Sequence, residues 1–191
     1  IYTSRQPQLL EPIFEDFYDD TGIKVNLLSG NAQELMERID IEDNDSMADI
    51  FMTVDAGVLW QAAERDIFSK VDSEILERNV PSYLKDPENK WFGLSKRART
   101  IVFSSDQFAS DDFSTYEDLA DPKWKGKLCL RTSKKVYNRS LIASMIDEYG
   151  FDQAKEVVSG WISNLATEVF SNDTNALKAV SSGQCGMTIV N

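Results

Sequence analysis

Residues 8–28, QLLEPIFEDFYDDTGIKVNLL, decide the fold. Leu9, Leu10, Ile13, Phe14, Phe17 and Tyr18 recur at helical spacing, and Gly22 stands where a left-handed residue ends a helix. Ile23 to Leu28 then reads as a strand. Upstream, Ile1-Tyr2-Thr3 is strand-like. Downstream, Asn31 with Glu34 makes a capping-type start for a helix carrying Leu35, Met36 and Ile39, and Ala48 to Val54 reads as the next buried strand. Strands alternating with helices predict an α/β architecture with mostly parallel sheets covered on both faces, in which ligands gather at the carboxyl ends of the strands. The loops that follow strands are therefore where ligand contacts are sought.

A second section opens near Trp91, where Trp91 to Ser95 and Arg99 to Ser104 read as two successive extended segments. This crossing divides the chain into a first α/β lobe over residues 1–100 and a second over 101–191. The second lobe reads as a short helix at Tyr116 to Leu119, a strand at Lys127 to Arg131, helices over Asn138 to Tyr149, Asp152 to Leu165 and Asp173 to Val180, and a closing strand at Met187 to Val190. A parallel strand normally runs on into a loop and a covering helix, and nothing follows Asn191. The second lobe is therefore expected to be incomplete at its C-terminal end.

Composition removes several classes of function. With 20 Lys+Arg against 32 Asp+Glu, the net charge is −12, which argues against nucleic acid as a partner, because phosphate repels so acidic a chain. Histidine is absent, and with it the usual general base, the Ser-His-Asp and Cys-His nucleophile systems and the HExxH zinc motif. No Asp/Glu pair singles itself out as a hydrolytic centre, so the chain does not read as an enzyme. Cys129 and Cys185 are too far apart for a CxxC motif or a zinc ribbon. Each lies in or beside a run that reads as a buried strand, which leaves either a disulfide or two reduced thiols. A mature exported chain opens on a strand such as Ile1-Tyr2-Thr3, and so does a trimmed cytosolic one.

From Lys123 to Arg139 every charged residue is a cation, and the segment runs strand, then Arg131-Thr132-Ser133-Lys134-Lys135-Val136-Tyr137, then helix. Hydroxyls, backbone N–H groups and a helix N-terminus converge there, a combination suited to a small anion. A solvated basic face accounts for the same pattern. Arg97 and Arg99 are two apart in an extended segment, so both guanidinium groups can project to one side and bind an anion, or pair as surface arginines with the abundant carboxylates. Asp55 follows a strand, the right end of a sheet for a ligand, but reads better as a helix N-cap. Without His, and with scarce Cys, metal donors are limited to oxygens, which suit hard cations. Tyr137 is distinctive among the tyrosines because surrounding positive charge favours a phenolate, a ligand for a hard trivalent metal; a packed or surface role is the plainer alternative.

Taken together, Tyr2-Thr3-Ser4-Arg5-Gln6, Asp20-Thr21-Gly22-Ile23-Lys24-Val25, Ala48-Asp49-Ile50-Phe51, the segment Trp91 to Arg99, Lys123-Trp124-Lys125-Gly126-Lys127 and Tyr137-Asn138-Arg139-Ser140-Leu141 resemble the periplasmic ferric-ion-binding proteins of bacterial ABC importers. These are the bacterial transferrins of the two-lobed periplasmic-binding-protein fold. The resemblance covers essentially the whole chain. It implies that Tyr137 is a phenolate ligand of transported Fe(III), that a small synergistic anion such as carbonate completes the site, and that Arg97 or Arg99, with Arg5 and Gln6, serves the anion or surrounds the ligands. Some members carry a His-Tyr pair where this chain has Gln6 and Pro7, so the resemblance points to a site supplied chiefly by the second lobe and an anion. Paired tyrosine ligands follow the asparagine that matches Asn191, and the expectation is that this chain is truncated before them. The resemblance also implies a Cys129–Cys185 disulfide, a periplasmic location, a monomer and an inner-membrane ABC permease as partner. The competing expectations are a solute-binding protein for a polyamine, which needs carboxylates at the strand ends, or for a small oxyanion, which needs Arg97, Arg99 and the Thr132-Ser133 loop.

Overall fold

In a computed structural model that describes residues 1–191, Tyr2–Thr3 (β1) is the middle strand of a three-stranded sheet. It lies between Leu28–Ser29 (β2) and Phe51–Met52 (β3), and both pairings are parallel. Tyr2 and Thr3 are buried, as a central parallel strand requires. The flanking strands are shorter than the runs predicted: the Ile23 to Leu28 segment enters the sheet only at Leu28, and Ala48 to Val54 only at the half-buried Phe51 and Met52. With two residues in β1, its neighbours have only two positions to pair with.

The first helix, Glu11–Thr21 (α1), starts later than the apolar spacing predicts, after a 3-10 turn at Pro7–Leu9. Pro12 explains the offset, because its ring would clash with the carbonyl of residue 8 in a continuous helix. Gly22 ends α1 at φ 71°, as expected. The apolar stripe of α1 does not reach a core within these residues: Ile13, Phe17 and Tyr18 are 61%, 41% and 52% exposed. The second helix, Ala32–Glu42 (α2), is capped by Asn31, whose side chain accepts from Gln33 N–H at 2.9 Å, and buries Leu35, Met36 and Ile39. Leu35 and Ile39 form a small core with Tyr2. Two further helices follow: Ala56–Glu64 (α3), whose start the reading of Asp55 as an N-cap anticipates, and Glu74–Asn79 (α4), which was not anticipated. Each is short and depends on its cap, Asp55 on Gly57 N–H at 2.8 Å and Ser73 on Leu76 N–H at 3.4 Å.

The chain divides into two compact units, Ile1–Lys96 and Arg97–Asn191. The sequence reading places this division after residue 100; the structure assigns Arg97 to Arg99 to the second unit, where Arg99 is tied to Ile189 and Asp173. The second unit is built on a mixed sheet in which Met187–Val190 (β6) lies between Thr100–Phe103 (β4), antiparallel, and Leu128–Cys129 (β5), parallel. All four residues of β6 are buried. Helices Val136–Tyr149 (α5), Phe151–Ser163 (α6) and Asp173–Ser181 (α7) complete the unit, close to their predicted spans. A 3-10 turn at Glu117–Ala120 takes the place of the predicted helix at Tyr116 to Leu119.

The main core gathers Phe113, Leu119, Trp124, Leu128, Leu141, Met145, Trp161, Met187 and Ile189. Buried Asn164 pins it by donating to the carbonyls of Leu119 and Asp121, at 2.9 and 2.8 Å. Cys129 and Cys185 form a disulfide, so the bridge and not the pair of thiols is realised. It ties β5 to the residues leading into β6 and packs with Ala179 and Val180 of α7.

Candidate functional site

The loop between β5 and α5 is held at three points. Thr132 N–H donates to Phe170 O at 2.8 Å, Lys134 N–H to Thr132 Oγ1 at 3.2 Å, and Asn138 Nδ2 reaches back to Arg131 O at 2.5 Å. These bonds set the direction in which α5 leaves the sheet. The helix starts at Val136, two residues before the predicted start, which puts Tyr137 in its first turn. Lys135 at the N-cap offers no side-chain acceptor, so no side chain caps the backbone donors of this first turn.

Tyr137 is half-buried and lies under two cations. The guanidinium carbon of Arg131 is 4.3 Å from the centre of its ring and that of Arg97 is 5.4 Å away, both within cation–π range. Arg131 is held in turn by Asp173, Nη1 to Oδ1 at 3.4 Å, in a pair whose side chains are 13% and 17% exposed. The same carboxylate takes Arg99, whose Nη1 and Nη2 are each 3.4 Å from a carboxylate oxygen, and accepts the Asn191 N–H at 3.3 Å. Asp173 is the first residue of α7, where a helix N-terminus favours a negative charge.

The two arginines expected to act as a pair are used differently. Arg97 is exposed and covers Tyr137. The Arg99 side chain is buried, donating from Nη2 to Ile189 O at 2.6 Å while the residue's own carbonyl accepts from Tyr116 Oη at 2.5 Å. Arg5 and Gln6 belong to the first unit, at the carboxyl end of β1: Arg5 N–H donates to Thr3 Oγ1 at 3.1 Å, and Gln6 Oε1 accepts from Gln8 at 2.9 Å. Asp55 is a helix cap. No group of three or more His, Cys, Asp or Glu side chains is arranged to hold a metal ion.

Two other tyrosines are proton donors or packing groups. Burial, and then its hydrogen bond to Glu42 at 3.0 Å, raises the Tyr2 phenol above its ordinary value. Burial and then Glu117 raise that of Tyr149. Arg38, at 2.5 Å, is the main cause that lowers the Glu42 carboxyl. Sequence reasoning missed Asp173, which reads only as a helix start, and Asn138, whose side chain closes the loop. Arg131 was visible only as one cation among many in the basic segment.

The family model for bacterial extracellular solute-binding proteins matches residues 45–190, and the chain belongs to that family, one of binding proteins and not of catalysts. Among curated relatives, iron uptake protein A1 of Synechocystis is 46% identical over 191 residues, covering 100% of this chain and 53% of its own length. The structure of Trichodesmium FutA (IdiA) in complex with iron and citrate superposes with a TM-score of 0.90 at 43% identity, over 100% of this chain and 60% of that one. The ferric binding protein of Campylobacter jejuni gives a TM-score of 0.92 at 34% identity, with the same coverage of both chains. The fold is thus the α/β fold of periplasmic binding proteins. The chain spans about half the length of the curated relatives it matches.

Proposed function

We propose that this chain belongs to the iron-binding component of a bacterial ABC importer, with Fe(III) as the transported ligand and Tyr137 as one of its phenolate ligands. The observation that carries the reading is the setting of Tyr137: a phenol in the first turn of α5, in the loop after a sheet strand, under the guanidinium groups of Arg131 and Arg97. The likeness to a protein solved with iron and citrate supports the metal and the idea of an accompanying small anion. That anion, carbonate or a small carboxylate, would sit at the uncapped start of α5 beside Arg97. Arg99 serves the site through Asp173, and Arg5 and Gln6 are the first unit's candidate anion contacts. The protein would work in the periplasm, as a monomer, delivering iron to an inner-membrane permease.

Binding through a phenolate releases a proton, so affinity falls as pH falls. The test is a visible-absorbance titration with chelated Fe(III) and bicarbonate, on protein made from its complete natural reading frame, beside Tyr137→Phe. A phenolate-to-iron band that saturates at about one equivalent, weakens in the variant and fades between about pH 8 and pH 4 is expected where protons compete for the ligand. No band, with bicarbonate or citrate still retained, would replace this reading with oxyanion binding at the same loop. Affinity for a polyamine that is indifferent to Tyr137→Phe would replace it with organic-cation binding.

A further inference from the structure

The Arg131–Asp173 pair has more attached to it than an ion pair needs. We infer that Asp173 and Arg131 act together as positioning residues for the Tyr137 ring, coupling it to the backbone at the end of β6. One carboxylate collects Arg131, which covers the ring at 4.3 Å, Arg99, which is bonded to Ile189 O at 2.6 Å, and the Asn191 N–H at 3.3 Å. Tyr137 and the end of β6 are thereby referred to the same group. Nε of Arg131 and Nε of Arg99 are buried and have no hydrogen-bond partner. Each guanidinium is thus oriented by Asp173 together with the ring or the Ile189 carbonyl, without a bond at Nε. Tyr137 itself is half-buried and lies outside the core clusters of its unit. The flat, forked guanidinium suits the dual task, stacking on a ring while pairing with a carboxylate, which an ammonium cannot reproduce.

That Tyr137 meets iron rests on the function proposed above; that its ring is held by Arg131 does not. The test uses protein from the complete reading frame with ring-labelled tyrosine, the Tyr137 signal being assigned by its loss in Tyr137→Phe. In Arg131→Met the iron-free ring signal is expected to shift and average, iron affinity measured against a competing chelator to fall about tenfold or more, and the phenolate-to-iron band to move. Arg131→Lys should restore only part of each, and Asp173→Asn should resemble Arg131→Met. Where Asp173→Asn does not fold, Arg131→Met carries the test, because Asp173 remains paired with Arg99 there. An Arg131→Met ring signal identical to that of wild type overturns the inference, whether or not iron binds. If Tyr137→Phe binds iron as wild type does, the proposed function fails instead, and the ring signal alone decides the positioning.

Discussion

Asn138 donates from Nδ2 to the carbonyl of Arg131 at 2.5 Å, so the first turn of α5 is fastened to the loop that leaves β5. Tyr137 stands between the two groups in sequence, and its ring lies beneath the Arg131 guanidinium. A side chain one position from the proposed ligand therefore sets the loop that presents it. Replacing Asn138 by Ala leaves the Arg131 carbonyl without its partner in a partly buried site, which costs about 1–3 kcal/mol. Urea unfolding of Asn138→Ala should show that loss of stability, and an unchanged midpoint would mean that the loop is held by its other bonds.

The Cys129–Cys185 bridge closes a loop with a sequence separation of 56 and joins β5 to the approach to β6. In the chain-entropy model a loop of this size contributes about 4 kcal/mol. Unfolding in the presence of a thiol reductant, or of the Cys129→Ala and Cys185→Ala double variant, should shift the midpoint accordingly. Equal midpoints with and without reductant would show that the bridge adds nothing to the fold.

Gly160 is where α6 meets the 3-10 turn at Glu117–Ala120. A Cβ at that position would lie 2.5 Å from Ala120 Cβ and 2.8 Å from its carbonyl oxygen, and the obstructing atoms are largely backbone. Although alanine is the better helix former, Gly160→Ala should destabilise the second unit, by about 1–3 kcal/mol as overpacked sites do. A rise in melting temperature would show that helix propensity outweighs the clash.

Asp118 receives the backbone N–H groups of Ser114 and Thr115 at 2.6 and 2.8 Å, and these bonds, Ser114 first, hold its carboxyl below the ordinary aspartate range. Because the folded form is the lowered one, its contribution to stability is complete above the unfolded-state value, near 3.9. It is lost as pH falls through the folded-state value below that. Stability measured from about pH 6 to pH 2, across that value, should therefore fall more steeply in wild type than in Asp118→Asn. Parallel curves would remove Asp118 from the acid response.

Much of this arrangement is legible in the order of residues. Gly22 ends its helix in the left-handed conformation, Asn31 and Asp55 cap theirs, and the helices of the second unit lie near the apolar runs that predict them. These are local matters, set by a few neighbouring side chains. Strand lengths were less legible: how far a strand is paired depends on how far its neighbour runs, and β1 offers only two positions. Helix α3 is apolar along most of its length, so no single face stands out, while α4 offers only Ile75 and Leu76; their caps were the only signal.

The sequence by itself determined the alternating α/β plan, the basic loop with Tyr137 at its end and the exclusion of histidine chemistry, because each depends on residue type and near spacing. Tertiary structure alone decided which partner each charge has. Arg97 and Arg99 are two residues apart, yet one lies on Tyr137 and the other is committed to Asp173, 74 positions away. That meeting exists because β6 runs between β4 and β5, bringing distant segments into one sheet. An ion pair between distant residues leaves no periodic trace in the chain, so only the folded arrangement shows that Asp173 holds Arg99 and Arg131.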